Sequence, residues 1–169
     1  MLRDTSPDHS NEELSRANAL KSTRVDLDLA KFYRIMDGKT LSDEDLKECW
    51  AEILPLYDHV YDPAAVAARV EATPYRFETH NWAFTENMPR YDLKDQLPGI
   101  TCPTLITVGR HDWITPVECS EKIHELIPDS QLVVFEKSGH SPQVEEADLF
   151  LQVVREFLAD ALDPSGADA

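Results

Sequence analysis

The chain has 169 residues, 42% of them apolar, and 32 Asp and Glu stand against 16 Lys and Arg for a formal net charge of −16. That length fits one domain, or one with an appendage, and the apolar share permits a core. The charge argues against nucleic acid and anionic membrane as partners, and no apolar run approaches the roughly 18 residues of a membrane helix.

The opening, "MLRDTSPDHSNEEL", carries no basic-then-apolar signal pattern. Cys49, Cys102 and Cys119 form no CxxC, so three reduced thiols in a cytoplasmic protein are expected. No internal repeat is present.

Residues 1–97 read as helical and polar. Leu29, Phe32, Tyr33 and Met36 have helical spacing and predict one amphipathic helix. "TLSDEDLKECWAEILPLY" predicts a second. Its N-cap is Ser42, its first turn is acidic, and its stripe is Leu46, Cys49, Trp50, Ile53 and Leu54. Pro55 disrupts that stripe. "DPAAVAARVEAT" predicts a third helix, capped by Asp62 with Pro63 in the first turn.

The rhythm changes after Pro98. Leu105, Ile106 and Val108 predict a buried strand. A helix is expected from Thr115, with Thr115 and Glu118 as a capping box and Pro116 at the first helical position. Cys119, Ile123, Leu126 and Ile127 form its buried face, and Pro128 ends it. Residues 131–135 predict a second strand, and a last helix is expected over 145–162, with Phe150, Leu151, Val154, Phe157 and Leu158 on one stripe. Residues 164–169 read as a flexible tail. Strand, helix, strand, helix at this spacing is a parallel crossover unit over 98–163.

Parallel strands end on one edge of a sheet, and in open α/β sheets ligands bind at that edge. The loops there hold "GRHD" and "SGHSP", and so Asp112 and His140. A histidine acting as general base needs one tautomer held and its imidazolium stabilised, and a buried carboxylate does both. Taken singly, such an Asp is an ordinary turn residue and such a His an ordinary surface residue. The order acid then histidine, on two strand-end loops, is the more specific signal. His111, Asp112 and His140 lack metal-ligand spacing, so no metal is expected.

"LPGITCPTLITVGRHDWITP" and "SGHSPQVEEADLFLQVVREFL" resemble the C-terminal end of an α/β-hydrolase, most nearly the proline-iminopeptidase-like aminopeptidases. The resemblance implies an α/β fold whose last two parallel strands carry the acid, Asp112, and the histidine, His140, of a Ser–Asp–His triad. Residues 1–97 then hold the end of a sheet segment, "MLRDTSP", and a helical cap. In the aminopeptidase branch cap carboxylates hold the substrate amine, a role that falls to Glu78 and Glu86. Trp82, Phe84 and Trp113 are placed to line an apolar pocket or to pack cap against core. No cofactor is implied, and the expected substrate is a small molecule or short peptide.

The family's nucleophile sits in G-x-S-x-G, and no two of the five glycines here are four apart. Ser120, Ser138 and Ser141 lie in no such turn, and Cys102 and Cys119 are poorly placed substitutes. The chain alone is therefore expected to be inactive. Two strands make a poor sheet, and the strand from Thr104 is expected to leave an edge bare. A second chain supplying the first half of the fold, or self-association, would cover it. A non-catalytic binding or regulatory module on the same scaffold is the alternative reading.

Overall fold

The computed structural model describes residues 1–162; the expected tail over 164–169 lies outside them. Three parallel strands form the sheet in the order β1 (Leu2–Arg3), β2 (Thr104–Gly109), β3 (Ser130–Phe135). Every residue of β2 is buried, as its run of Leu105, Ile106, Thr107 and Val108 requires. β3 pairs with β2 from Thr104↔Ser130 to Gly109↔Phe135 and is only partly covered along its length. Between them, α6 (Val117–Leu126) lays Cys119 and Ile123 on the sheet, with Ile127 just beyond its end. Ile106, Ile123, Ile127 and Leu97 form the apolar cluster there.

The residue pattern led us to expect two strands, and two residues are too few to show strand periodicity; β1, which pairs Leu2 with Ile106 and Arg3 with Thr107, lies in the "MLRDTSP" stretch that only the resemblance marked as the end of a sheet segment. The edge of β2 expected to be bare is thus covered for those two residues.

Five helices form the layer before the second half of the sheet: α1 (Asn11–Lys21), α2 (Leu29–Met36), α3 (Asp43–Ile53), α4 (Pro63–Ala72) and α5 (Phe77–Trp82). Side chains set where three of them begin. Asp28 accepts from the N–H groups of Ala30 and Lys31, Ser42 from Asp45 and Asp62 from Ala64, each satisfying a donor that the first helical turn leaves free. Phe32, Ile35, Met36, Leu46, Cys49, Ile53, Val66 and Val70 meet in one core, and Trp113 and Ile114 reach into it from the loop after β2. The buried stripe of α2 is rotated from the expected one: Ile35 is inside, while Leu29 and Tyr33 are exposed.

The last expected helix is split into α7 (Pro142–Glu145) and α8 (Ala147–Leu162). Of its expected apolar stripe Phe150 is buried, its ring tilted against that of Phe135, while Leu151 and Leu158 remain exposed. No helix among the described residues is long and apolar enough to cross a membrane.

Two glycines let the loops after β2 and β3 touch. A Cβ on Gly109 would fall 1.8 Å from the Gly139 carbonyl oxygen and 2.5 Å from that of Ser138. One on Gly139 would fall 2.2 Å from the Tyr57 carbonyl oxygen. These neighbours are backbone and cannot swing aside. Gly109→Ala should therefore destabilise the chain by about 3 kcal/mol, read as a lower urea midpoint. Gly99→Ala, where the added methyl meets nothing within 4 Å, should stay within about 0.5 kcal/mol of the parent. Equal midpoints for the two variants would show that the loops do not approach as described.

Candidate active site

Asp112 and His140 lie at the carboxyl ends of β2 and β3, and the pairing of those strands brings their loops together. Three backbone bonds lock the approach. Arg110 N–H donates to Phe135 O at 2.8 Å, His111 N–H to Ser138 O at 2.9 Å and His140 N–H to Tyr57 O at 2.6 Å. The His140 Nδ1 donates to Asp112 Oδ2 at 2.8 Å, because an ionised carboxylate can only accept. Nε2 is then the ring nitrogen left for other chemistry. The Asp112 side chain is fully buried, while that of His140 keeps 28% of its surface exposed.

Asp112 carries four hydrogen bonds on two oxygens. Oδ1 accepts from the N–H of Ile114 at 3.0 Å and of Thr115 at 3.1 Å, and Oδ2 accepts from the Thr115 hydroxyl at 2.9 Å as well as from His140. A buried carboxylate needs such partners. This explains why the expected capping box fails. Thr115 gives its hydroxyl to Asp112, Pro116 becomes the N-cap of α6, and no side chain caps that helix.

The histidine loop is fastened from behind by two glutamates. The Glu145 carboxylate accepts from the N–H groups of Gly139 at 2.7 Å and His59 at 2.6 Å. Glu146 accepts from Lys137 N–H at 2.9 Å and the Ser138 hydroxyl at 2.7 Å. The Tyr57 ring stands edge-on to the imidazole, centroids 5.2 Å apart, and edge-on to Trp113 at 5.6 Å. Burial opposes the charged imidazole. The Asp112 hydrogen bond and the charges of Asp112 and Asp4 outweigh it, and His140 ends above the ordinary histidine range.

Asp4 joins them from the end of β1. Its side chain is 1% exposed, its backbone is left-handed at φ 45°, and its Oδ1 accepts from Gly109 N–H at 3.2 Å. Burial, and then the nearby Asp112 charge, push its carboxyl up to about 7. One ligand atom from each of Asp4, Asp112 and His140 falls in a cluster within 4.8 Å. The set fits a metal ion poorly, because the Asp112 oxygens and His140 Nδ1 are already bonded to one another and to Thr115 and Ile114.

Among the described residues none of the other candidates is hydrogen-bonded to the Asp112 or His140 side chain. Glu78 and Trp82 are exposed on α5, and Glu86 is exposed one turn beyond it, paired with Arg90 at 2.6 Å. Trp113 is 3% exposed and packs against Phe32 and Tyr57, so it links the helical layer to the sheet. Phe84 is half-buried and stacks on His80. His111 stands outside the Asp112 cluster, stacked face to face on His59 at 3.7 Å. These two rings border a cavity of about 450 Å³ whose walls include Lys21, Arg24 and Arg110.

Sequence reasoning missed Asp4, Tyr57, Thr115 in its real role, Glu145 and Glu146. Tyr57 acts largely through its carbonyl, which any residue would supply. The paired glutamates of "SPQVEEA", five and six positions after His140, were the one available sign of a loop tied down from its own C-terminal side.

Comparison with known proteins matches residues 3–147 to the alpha/beta hydrolase fold family. A proline iminopeptidase of Pestalotiopsis fici, PfmaB, is 30% identical over 164 residues, covering 94% of this chain and 57% of the relative. A proline iminopeptidase of Saccharolobus solfataricus is 47% identical over 68 residues, covering 40% of this chain and 22% of the relative. Among solved structures, an alpha/beta fold family hydrolase from Bacillus anthracis superposes with a TM-score of 0.67 at 21% identity, covering 91% of this chain and 56% of that one. The chain thus spans little more than half the length of the first of these relatives.

The raised Asp4 carboxyl has a consequence for stability. In the unfolded chain it loses its proton near its ordinary value of 3.8, and in the folded chain near 7. Between those values the folded state binds more protons, so the Asp4 contribution to stability falls as pH rises from about 4 to about 7 and then levels, while the raised His140 extends the fall to higher pH. Urea unfolding should show that fall in the parent. Asp4→Asn should flatten it and be the more stable of the two at pH 8, by up to about 4 kcal/mol. Parallel stability curves for the two proteins would contradict the burial of Asp4.

Proposed function

The chain belongs to the α/β-hydrolase fold family, and on that premise we propose that Asp112 and His140 are the acid and the base of a Ser–Asp–His triad. The observation that carries this reading is the 2.8 Å bond from His140 Nδ1 to a fully buried Asp112 carboxylate, which leaves Nε2 free. The serine would come from outside these 169 residues, which contain no G-x-S-x-G. It would be carried by the first half of the fold, earlier in the same polypeptide or on a second chain.

In the completed site His140 Nε2 takes the serine hydroxyl proton as the oxygen attacks a carbonyl carbon. The imidazolium then returns that proton to the departing amine or alcohol, and an acyl-enzyme remains. Water repeats the sequence, losing a proton to Nε2 and releasing the acid. Asp112 holds the ring in one tautomer and balances the imidazolium charge. The similarity to two proline iminopeptidases favours an aminopeptidase or amidase reaction on a small or short-peptide substrate. In that reading the helices before the second half of the sheet act as a cap over the site. Glu78 and Glu86 on their exposed side are candidates to meet a free amine, with Trp82 beside them.

The chain alone should hydrolyse proline p-nitroanilide and p-nitrophenyl acetate no faster than a chain carrying both Asp112→Asn and His140→Ala. Co-expressed with, or fused behind, the serine-bearing half of a related hydrolase, it should gain turnover. Asp112→Asn should lower the kcat of that assembly by about 10⁴-fold. Turnover by the lone chain that vanishes in the double variant would place a nucleophile within these residues. An active assembly indifferent to His140→Ala would sink the triad reading.

A further inference from the structure

Asp4 is a buried acid that the acid–histidine pair does not require. The fold nevertheless secures it. Its N–H donates to Thr107 O at 2.9 Å, its Oδ1 accepts from Gly109 N–H, and its backbone takes a left-handed conformation that non-glycine residues seldom adopt. The three strand ends therefore each deliver one ionisable group to a single point: Asp4 from β1, Asp112 from β2 and His140 from β3, within 4.8 Å of one another.

Two buried carboxyls at that distance cannot both ionise without cost, so one of them keeps a proton. The hydrogen bonds decide which. Asp112 accepts four. Asp4 accepts one from backbone and one long contact, at 3.4 Å, from the Arg3 guanidinium. Among the described residues no other cation is paired with it. The remaining titratable groups near this point, the Tyr57 phenol and the Cys119 thiol, are both pushed up by burial and then by Asp112, and stay neutral.

Resting on the reading of His140 as the base, we propose that Asp4 is a positioning residue for that base, sharing one titrating proton with His140. While Asp4 is a neutral carboxylic acid, a single carboxylate faces the imidazole and Nε2 is free to accept a proton. When Asp4 loses its proton, a second carboxylate faces the ring and holds His140 as imidazolium, which cannot act as a base. The two forms, Asp4 acid with neutral His140 and Asp4 carboxylate with imidazolium His140, carry the same total charge. They interconvert by moving one proton, so the two groups titrate as a pair. The carboxyl raised to about 7 by burial and by Asp112 agrees with this, as does the contribution of Asp4 to the upward shift of His140.

The test follows the His140 ring nitrogens and the Asp4 side-chain carboxyl carbon by NMR from pH 4 to 10 in the 169-residue chain. In the parent, Asp4 should titrate near 7 and His140 should follow a two-step curve that shares this inflection. In Asp4→Asn, His140 should titrate in one step, at a pH lower by about 1 or more. A merely structural Asp4 would leave the His140 curve unmoved. Should Asp4→Asn fail to fold, the parent's Asp4 curve decides alone: titration near the ordinary value of 3.8 overturns the proposal. Asp112→Asn separates the two readings. A His140 that responds to Asp112→Asn but not to Asp4→Asn overturns the Asp4 proposal and leaves the pair standing. A His140 indifferent to Asp112→Asn removes the acid–base pair itself.

Discussion

The placement of the buried Asp112 carboxylate is the constraint that the rest of the site answers to. A buried charge is costly unless it is paired and fully hydrogen-bonded. Asp112 meets that demand with two backbone N–H groups, the Thr115 hydroxyl and His140 Nδ1. Each partner fixes a piece of structure. The Ile114 and Thr115 amides hold the turn after β2, and Thr115 is drawn away from capping α6. The fourth bond joins this turn to the loop after β3. One carboxylate thereby closes both loops at the sheet edge.

Those loops would not reach each other without Gly109 and Gly139, whose missing side chains make room for backbone carbonyls. The helical layer then completes the setting from the other side. Tyr57 gives its carbonyl to His140 and its ring to both His140 and Trp113. Glu145 bridges the amides of His59 and Gly139, which joins the helical layer to the histidine loop through one half-buried acid. Burial raises the Glu145 carboxyl, and its two backbone bonds only partly offset that. The histidine is thus oriented by parts of the chain more than eighty residues apart, so its geometry depends on the helices as well as on the strands.

What could be read in the sequence follows a physical rule: features that repeat were legible, caps were legible in part, and features that act by proximity were not. β2 and β3 showed themselves because their residues are apolar and β-branched. Ser42 and Asp62 showed themselves because a small polar residue before a helix has one main use. α1 did not, since it buries Asn11, Ser15 and Ala19 and so has no apolar stripe. The α2 stripe was misjudged because Leu29, Phe32, Ile35 and Met36 share one spacing and only packing chooses among them. Asp112 and His140 were legible because parallel strands must end on one edge. Asp4 was not: the resemblance put the end of a sheet segment at "MLRDTSP", but nothing in those residues says that the acid after it will meet Asp112 and His140. The face of α8 around Leu151 and Leu158 fits the expected apolar pattern, yet it is exposed among the described residues.

The central claim is that Asp112 accepts the hydrogen bond of His140 Nδ1–H within a buried, hydrogen-bonded cluster. The direct measurement is the far-downfield proton spectrum of chain labelled with ¹⁵N at histidine. The account predicts a slowly exchanging resonance coupled to His140 Nδ1, present in the parent and lost in Asp112→Asn with the fold otherwise intact. A folded parent without that resonance, or one whose resonance survives Asp112→Asn unchanged, would contradict it.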